Sequence, residues 1–358
     1  MERTIALVNL VIWEDPMIKR GAFSVLLACT LLVPSAFAQS AEEFFADKTL
    51  RVVSSTGAGG TMDLYLLLFM KYAAKHLPEG TEMVLEHRTG GGGAIMANYL
   101  YNQAPADGTT FGMPVPAVVS STFSTPEASR YEPEKFNAIG RIVDNPRVFV
   151  ARKEAGVETL QDAAKVDSEI THSIMTIGTS LDQFMTVAND ALGTKFKHVA
   201  GYSGGGPAFL AMEQGEVMST TAEPANLLAN KWHLVESGEI KVLGHLGLEP
   251  IEGLEDVPNL LDMVEQNNPA YGQVQAVAQS AGIGLGLLAP PAVPEDRIAY
   301  LRDVFTKTMT DPELVAEAKE RKIPLNYESG EWLQNLLSES MTVDDSVKQW
   351  FKSLVTVQ

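Results

Sequence analysis

The chain has 358 residues, 45 acidic against 27 basic side chains for a formal charge of −18 at pH 7, 45% hydrophobic residues and a single cysteine. That charge repels nucleic acid and anionic lipid at long range, so no nucleic-acid partner is expected and a bound anion has to be held by local donors. With Cys29 as the lone cysteine there is neither a disulfide nor a thiolate metal site, and stability must come from the core.

The first region in chain order is a targeting segment. Met17-Ile18-Lys19-Arg20 is basic, Gly21 to Pro34 is apolar, and Ala36-Phe37-Ala38 places small residues where a signal peptidase reads them. Residues 1–38 are expected to be a leader and secretory signal peptide, with the signal itself starting at Met17. The apolar run is too short and interrupted for the roughly 20 residues of a spanning helix. Leu26-Leu27-Ala28-Cys29 loosely resembles a lipobox, a second processing route in which Cys29 is lipidated; the apolar Leu31-Leu32-Val33 after it fits the longer signal better.

Beyond the leader, strands alternate with helices, the pattern of mostly parallel sheets with helices packed on them. Leu50 to Ser55 reads as a strand and Gly57-Ala58-Gly59-Gly60 as a loop, after which Met62, Tyr65, Leu66, Phe69, Met70 and Ala73 recur at helical spacing. Leu85 sits in a second strand, Gly90 to Gly93 form a second loop, and Ile95 to Gln103 a helix closed by the turn Ala106-Asp107-Gly108. The unit recurs as a strand over Ser173 to Ile177, the loop Gly178-Thr179-Ser180 and a helix from Asp182 to Leu192. It recurs again as Phe196 to Ala200, Gly201 to Gly206 and Pro207 to Gln214. A strand over Gly282 to Leu288 and helices beginning near Glu295, Pro312 and Gly330 complete the chain.

No linker separates the halves. The pattern therefore predicts two α/β lobes, one from residues 39–148 plus 284–358 and the other from 149–283, with strand crossings near Arg147 to Arg152 and Gln279 to Gly284. The chain is expected to be a monomer.

Three glycine-rich loops, Gly57 to Asp63, Gly90 to Ala94 and Tyr202 to Pro207, each follow a strand and open a helix. Glycine lets backbone approach a ligand, and a helix start offers unpaired N–H groups with partial positive charge. An acidic protein can hold a carboxylate this way without burying an arginine. Asp63 and Asp182 fall in first helical turns, where capping and dipole interactions compete with ligand contact as their role.

Nucleotide and metal chemistry find little support. The first loop lacks the third glycine of a dinucleotide fingerprint, no triphosphate loop exists, and Gly284-Leu285-Gly286-Leu287-Leu288-Ala289 reads as a core strand. The histidines, His76, His87, His172, His198, His233 and His245, include no pair at ligand spacing and read as surface or core-edge residues, so neither metal nor cofactor is expected. The enzymatic alternative is a serine hydrolase using Ser203 in Gly201-Tyr202-Ser203-Gly204-Gly205. It would need a later acid and histidine, and only His233 and His245 follow Ser203, with no aspartate between Ser203 and His245.

Several segments together resemble the receptors of tripartite tricarboxylate transporters, also called the Bug family. Gly59-Gly60-Thr61-Met62-Asp63 is similar to the family's Gly-Gly-x-x-Asp loop, and Arg88 to Ile95 to its glycine-rich second segment. Ala104-Pro105-Ala106-Asp107-Gly108-Thr109-Thr110 is similar to its Asp-Gly turn, and Tyr202 to Ala208 through Gly215-Glu216-Val217 to its Tyr-x-Gly helix and following strand. Pro291 to Leu301 and Asp311-Pro312-Glu313 resemble its C-terminal helices. The resemblance implies a two-lobed periplasmic-binding-protein (Venus flytrap) fold with mixed, mostly parallel sheets and helices on both faces. It also implies a non-enzymatic periplasmic receptor that hands a small carboxylate to a transporter with a large and a small membrane subunit.

Carried onto this chain, the family's ligand loops point to Thr56, Gly59, Gly60, Thr61 and Asp63 on one lobe, with Thr179, Ser180, Tyr202 and Ser203 opposite. Departures from the family pattern occur at Tyr65 and Leu66, where an Ala-Arg pair is common, and at Met218, where Asp is common. Thr220, Thr221 and Glu223 fall in a stretch that often lines the pocket, and a ligand with a donor group opposite its carboxylate would suit them.

Overall fold

A computed structural model describes residues 40–356; the expected leader, its Met17 start and Cys29 lie outside them. The first sheet contains β1 (Thr49–Ser54), β2 (Glu82–His87), β3 (Thr110–Met113), β4 (Asn137–Arg141), β10 (Gly286–Ala289) and β11 (Glu328–Ser329). The second contains β5 (Arg147–Arg152), β6 (Ile170–Ser173), β7 (Phe196–Val199), β8 (Ser219–Ala222) and β9 (Ile240–Leu246). Their orders are β11-β4-β10-β3-β1-β2 and β7-β6-β8-β5-β9. β1 pairs in parallel with β2 and β3, and β6 with β7 and β8, while β10, β11 and β5 run antiparallel to their neighbours. Each sheet is thus a parallel βαβ core with antiparallel strands added at the side where the chain changes sheets.

The local chemistry explains the elements. β1 lies inside its sheet, and Leu50, Val52 and Val53 are fully buried, while Thr49 and Arg51 at its start alternate with them and stay exposed. In the helix Thr61–Ala73 the 3.6-residue spacing puts Met62, Tyr65, Leu66, Phe69 and Ala73 on the buried face. Helices start at Glu295, Pro312 and Gly330 as the sequence predicts. Asp311 caps the second of these by accepting from the Glu313 and Leu314 N–H groups, and Ser329 caps the third by accepting from Trp332 N–H.

Between Arg141 and Arg147 the chain passes from the first sheet to the second, and it returns through the helix Tyr271–Ile283 into β10. The two passes are stitched together by Ile142 N–H to Leu285 O at 3.0 Å, Leu285 N–H to Val143 O at 2.8 Å and Asn145 N–H to Ala281 O at 2.8 Å. The return differs from the strand expected over Gln279 to Gly284. That run has small residues and no β-branched side chain before Ile283, and it ends a helix whose Gly282 lies so close to Leu248 that a Cβ there would stand 2.4 Å from Leu248 Cδ1. Gly284, at φ +52°, makes the turn into β10; an added Cβ would sit 2.1 Å from Val143 O. The strand expected over Ser173 to Ile177 ends at Ser173, and Ile174 begins the loop that leads to the helix Ser180–Leu192.

A closing helix, Asp345–Thr356, joins the layers. Phe351 packs on Phe123 beside the first sheet, and Trp350 Nε1 donates to Asp190 Oδ2 at 2.6 Å beside the second.

Candidate binding site

Each βαβ core carries a loop locked by a buried aspartate. After β1 the backbone reaches φ +84° at Gly59, whose N–H donates to Asp63 Oδ2 at 2.7 Å, while Asp63 Oδ1 meets His87 Nε2 at 2.7 Å. After β6, Gly178 at φ +82° donates to Asp182 Oδ2 at 2.7 Å, and Asp182 Oδ1 meets His198 Nδ1 at 2.8 Å. Both aspartates are the third residue of their helices and both are buried. Both oxygens of each carboxylate face partners inside the protein and lock the loop, a role that the sequence reading of capping or ligand contact does not include.

A cavity of about 740 Å³ opens where the chain passes between the sheets. One wall is the start of the helix Thr61–Ala73, with Thr61, Met62 and Tyr65; its floor is the crossing Val143 to Arg147; further walls come from Glu223 to Ala229, Pro250 to Gly253 and Ile323 to Asn326. Tyr65 Oη donates to Pro324 O at 3.0 Å, tying two of these walls together. Burial, then the nearby charges of Glu223 and Asp144, push the Tyr65 hydroxyl well up, so it stays a neutral donor. Burial also raises the Asp144 carboxyl, against the pull of Arg141.

Two arginines anchor this region, and neither was singled out from the sequence. Arg141 is fully buried behind the floor, donating to Gly282 O and Asn326 O at 2.9 Å, reaching Glu249 at 3.3 Å and lying over the Trp332 ring. Arg147 lines the cavity itself at 9% exposure, with Nη1 3.0 Å from Glu223 Oε1 and an Nε that has no hydrogen-bond partner among the described residues. A buried arginine thus lines this cavity, which the helix-start reading of the sequence does not include. The only signal was a cation beginning a strand where the chain changes lobes, and nothing in one sequence separates that from an exposed strand end.

Of the residues expected to touch a ligand, Thr61 lines the cavity, with Gly59 and Gly60 exposed just before it. Thr56 is partly buried, its Oγ1 3.3 Å from Ser54 Oγ, and Asp63 is turned into its own loop. On the second sheet, Thr179 Oγ1 donates to Thr176 O at 2.6 Å, Ser180 opens its helix, Tyr202 Oη donates to Glu216 at 2.8 Å and Ser203 is exposed. These four do not line the cavity; its second-sheet walls come from Arg147, the stretch after β8 and the stretch after β9.

The hydrolase alternative lacks its base. His233 is exposed on a short helix and His245 is buried in β9, and neither hydrogen-bonds Ser203 among the described residues. His172 and His245 are core residues, not the surface or core-edge positions expected of them. Burial, then the charge of His198, lowers His172 to about 3. Among the described residues no group of three or more His, Cys, Asp or Glu side chains is placed to hold a metal ion.

The model of the tripartite tricarboxylate transporter family receptor matches residues 70–348. No curated protein matches the chain. Among solved structures, the fold is similar to a TctC solute-binding protein from Polaromonas with no ligand, at 19% identity and TM-score 0.66, covering 87% of this chain and 98% of that one. It is similar to MatC from Rhodopseudomonas palustris with bound malate, at 19% identity and TM-score 0.59, covering 86% and 98%. An R. palustris protein with adipate follows at 18% identity and TM-score 0.59, covering 86% and 97%. The two-sheet α/β architecture is thus that of periplasmic binding proteins.

Proposed function

The chain belongs to the tripartite tricarboxylate transporter receptor family, and from that membership we propose that it captures a small organic carboxylate in the cavity at the lobe crossing and passes it unchanged to a transporter's large and small membrane subunits. The observation that carries this is the cavity of about 740 Å³ bounded by elements of both sheets, with a helix start on one side and a buried guanidinium on the other. Such pockets between moving halves, apolar with a few convergent polar groups, are the usual form of small-ligand sites. Structural relatives holding malate and adipate support a carboxylate as the ligand class.

In this reading the lobes are 39–148 plus 284–358 and 149–283, hinged on the stitched crossings. Gly59, Gly60 and Thr61 present helix-start donors, Asp63 shapes their loop, and Thr56 supports it. Thr179, Ser180, Tyr202 and Ser203 belong to the facing lobe and come to the ligand on closure. The protein works as a periplasmic monomer, exported by its leader and cleaved after Ala38 or lipidated at Cys29.

A thermal-shift screen over mono-, di- and tricarboxylates tests this. A ligand that binds only the folded state raises the melting point with its concentration. If no carboxylate shifts it at millimolar concentration, the receptor reading falls.

A further inference from the structure

The two locked loops share their geometry but differ in what lies outside them. At Gly59 an added Cβ would meet nothing within 4 Å among the described residues, whereas at Gly178 it would stand 2.5 Å from Val355 Cγ1. Val355 belongs to the last turn of the closing helix Asp345–Thr356, in which Val347, Phe351 and Leu354 recur at helical spacing and are buried. Val347 sits against the start of the return helix Tyr271–Ile283, where a Cβ added to Gly272 would lie 2.9 Å from its Cγ2. The Phe351 ring centroid is 5.9 Å from that of Phe123, in the helix Ser120–Ser124 that follows β3 of the first sheet. Trp350 Nε1 donates at 2.6 Å to Asp190 Oδ2, in the second-sheet helix Ser180–Leu192 that the Gly178 loop opens. One helix is thus seated on both sheets. From Val347 to Val355 it spans about 12 Å, too short to bend appreciably, so a shift at its seat on Phe123 is carried to Gly178.

Resting on the receptor reading above for what the loop holds, we infer that the closing helix is a strap from the first lobe that positions the loop Gly178-Thr179-Ser180 of the second. Phe351 on Phe123 anchors it. Trp350 and Val355 are its positioning residues, holding the Thr179 and Ser180 donors at the angle from which they come to the ligand on closure.

The test is hydrogen-exchange mass spectrometry on the full chain without ligand. It reads the Gly178 and Thr179 N–H groups, which donate to Asp182 Oδ2 and Thr176 O, against the Gly59 N–H of the matching lock. Trp350→Phe removes the bond to Asp190 and keeps a ring beside Phe351, Val355→Ala uncovers Gly178, and Phe123→Leu loosens the anchor from within the first lobe. Each should speed exchange at Gly178 and Thr179 about threefold or more and leave Gly59 unchanged. Unchanged exchange at Gly178 in Trp350→Phe overturns the strap. So does unchanged exchange there in Phe123→Leu, since Val355 would then be local packing alone. A rise at Gly59 equal to that at Gly178 also overturns it, because the whole fold would have loosened. No ligand enters the measurement, so a failed strap leaves the receptor reading standing, and a silent carboxylate screen removes that reading without altering the exchange rates.

Discussion

Asp63 and His87 meet at 2.7 Å across the first βαβ core, and Asp182 and His198 meet at 2.8 Å across the second. In both, the histidine lies on the strand parallel to the one that feeds the loop, His87 in register with Ser54 and His198 with His172. In both, the aspartate's other oxygen accepts from the glycine four residues before it. The same three-residue lock thus fixes the loop at each parallel core, and its glycine needs a positive φ to aim its N–H at the carboxylate.

Replacing either aspartate should therefore cost more than an ordinary capping change. Asp63→Ala removes two hydrogen bonds to a buried carboxylate, though Gly59 and His87 can turn to solvent, a loss of about 1 to 2 kcal/mol, and Asp182→Ala should match it. Urea unfolding of the two variants checks this. Losses below about 0.5 kcal/mol would show the locks to be incidental.

Acid should destabilise the fold through His172. Ser219 Oγ donates to Thr171 O, so its lone pair accepts from His172 Nδ1–H, and the bare Nε2 has no partner among the described residues. Protonating Nε2 would bury a charge with nothing to receive it. The folded pKa of about 3 lies below the unfolded value, so the unfolded chain binds the extra proton first. Stability is fully present above about pH 6.5 and drains away as pH falls toward 3, by roughly 2 kcal/mol at pH 5. His245, lowered chiefly by its burial, acts in the same direction. His172→Gln should flatten the slope between pH 7 and 5; an unchanged slope would place the acid sensitivity elsewhere.

Much of this architecture was legible because it is local. The glycine loops, the buried face Met62, Tyr65, Leu66, Phe69 and Ala73, and the starts at Glu295, Pro312 and Gly330 all follow from spacing and capping chemistry within a few residues. What stayed hidden depends on distant partners. Arg141 is buried with Gly282, Asn326 and Trp332 closed around it, and Arg147 on the cavity wall pairs with Glu223, 76 residues later. The partners of His87 and His198 could not be read from the sequence because their aspartates come 24 and 16 residues earlier. The return crossing was misread because Gly282 and Gly284 suit a strand as well as a helix end, and contact with Leu248 and Val143 decides between them.

Gly284 offers a test of the stitched crossings. At φ +52° and ψ −138°, with Val143 O where a Cβ would go, Gly284→Ala must either distort β10 or push the two passes apart. The expected loss is roughly 2 to 4 kcal/mol, read as a lower melting temperature. Small-angle scattering should show a wider spread between open and closed forms. A variant as stable as the parent would mean that the crossing yields freely at this point.

Thr61→Pro separates the site from the fold. Thr61 is the first residue of its helix, where proline is favoured, and Gly60 before it is extended at φ −87° and ψ 179°, the conformation a following proline demands. An N–H at the first helical position has no intrahelical acceptor, so the helix loses no hydrogen bond. The melting temperature should therefore stay within about 2 °C of the parent, since uncommitted positions usually change stability by less than half a kcal/mol. Carboxylate affinity should fall about tenfold or more, because one helix-start donor and the only hydroxyl of this cavity-lining residue are both removed. Calorimetry on the folded variant, with the best ligand from the carboxylate screen, reads the outcome. Unchanged affinity would move the carboxylate off the helix start and leave Arg147 as its principal anchor.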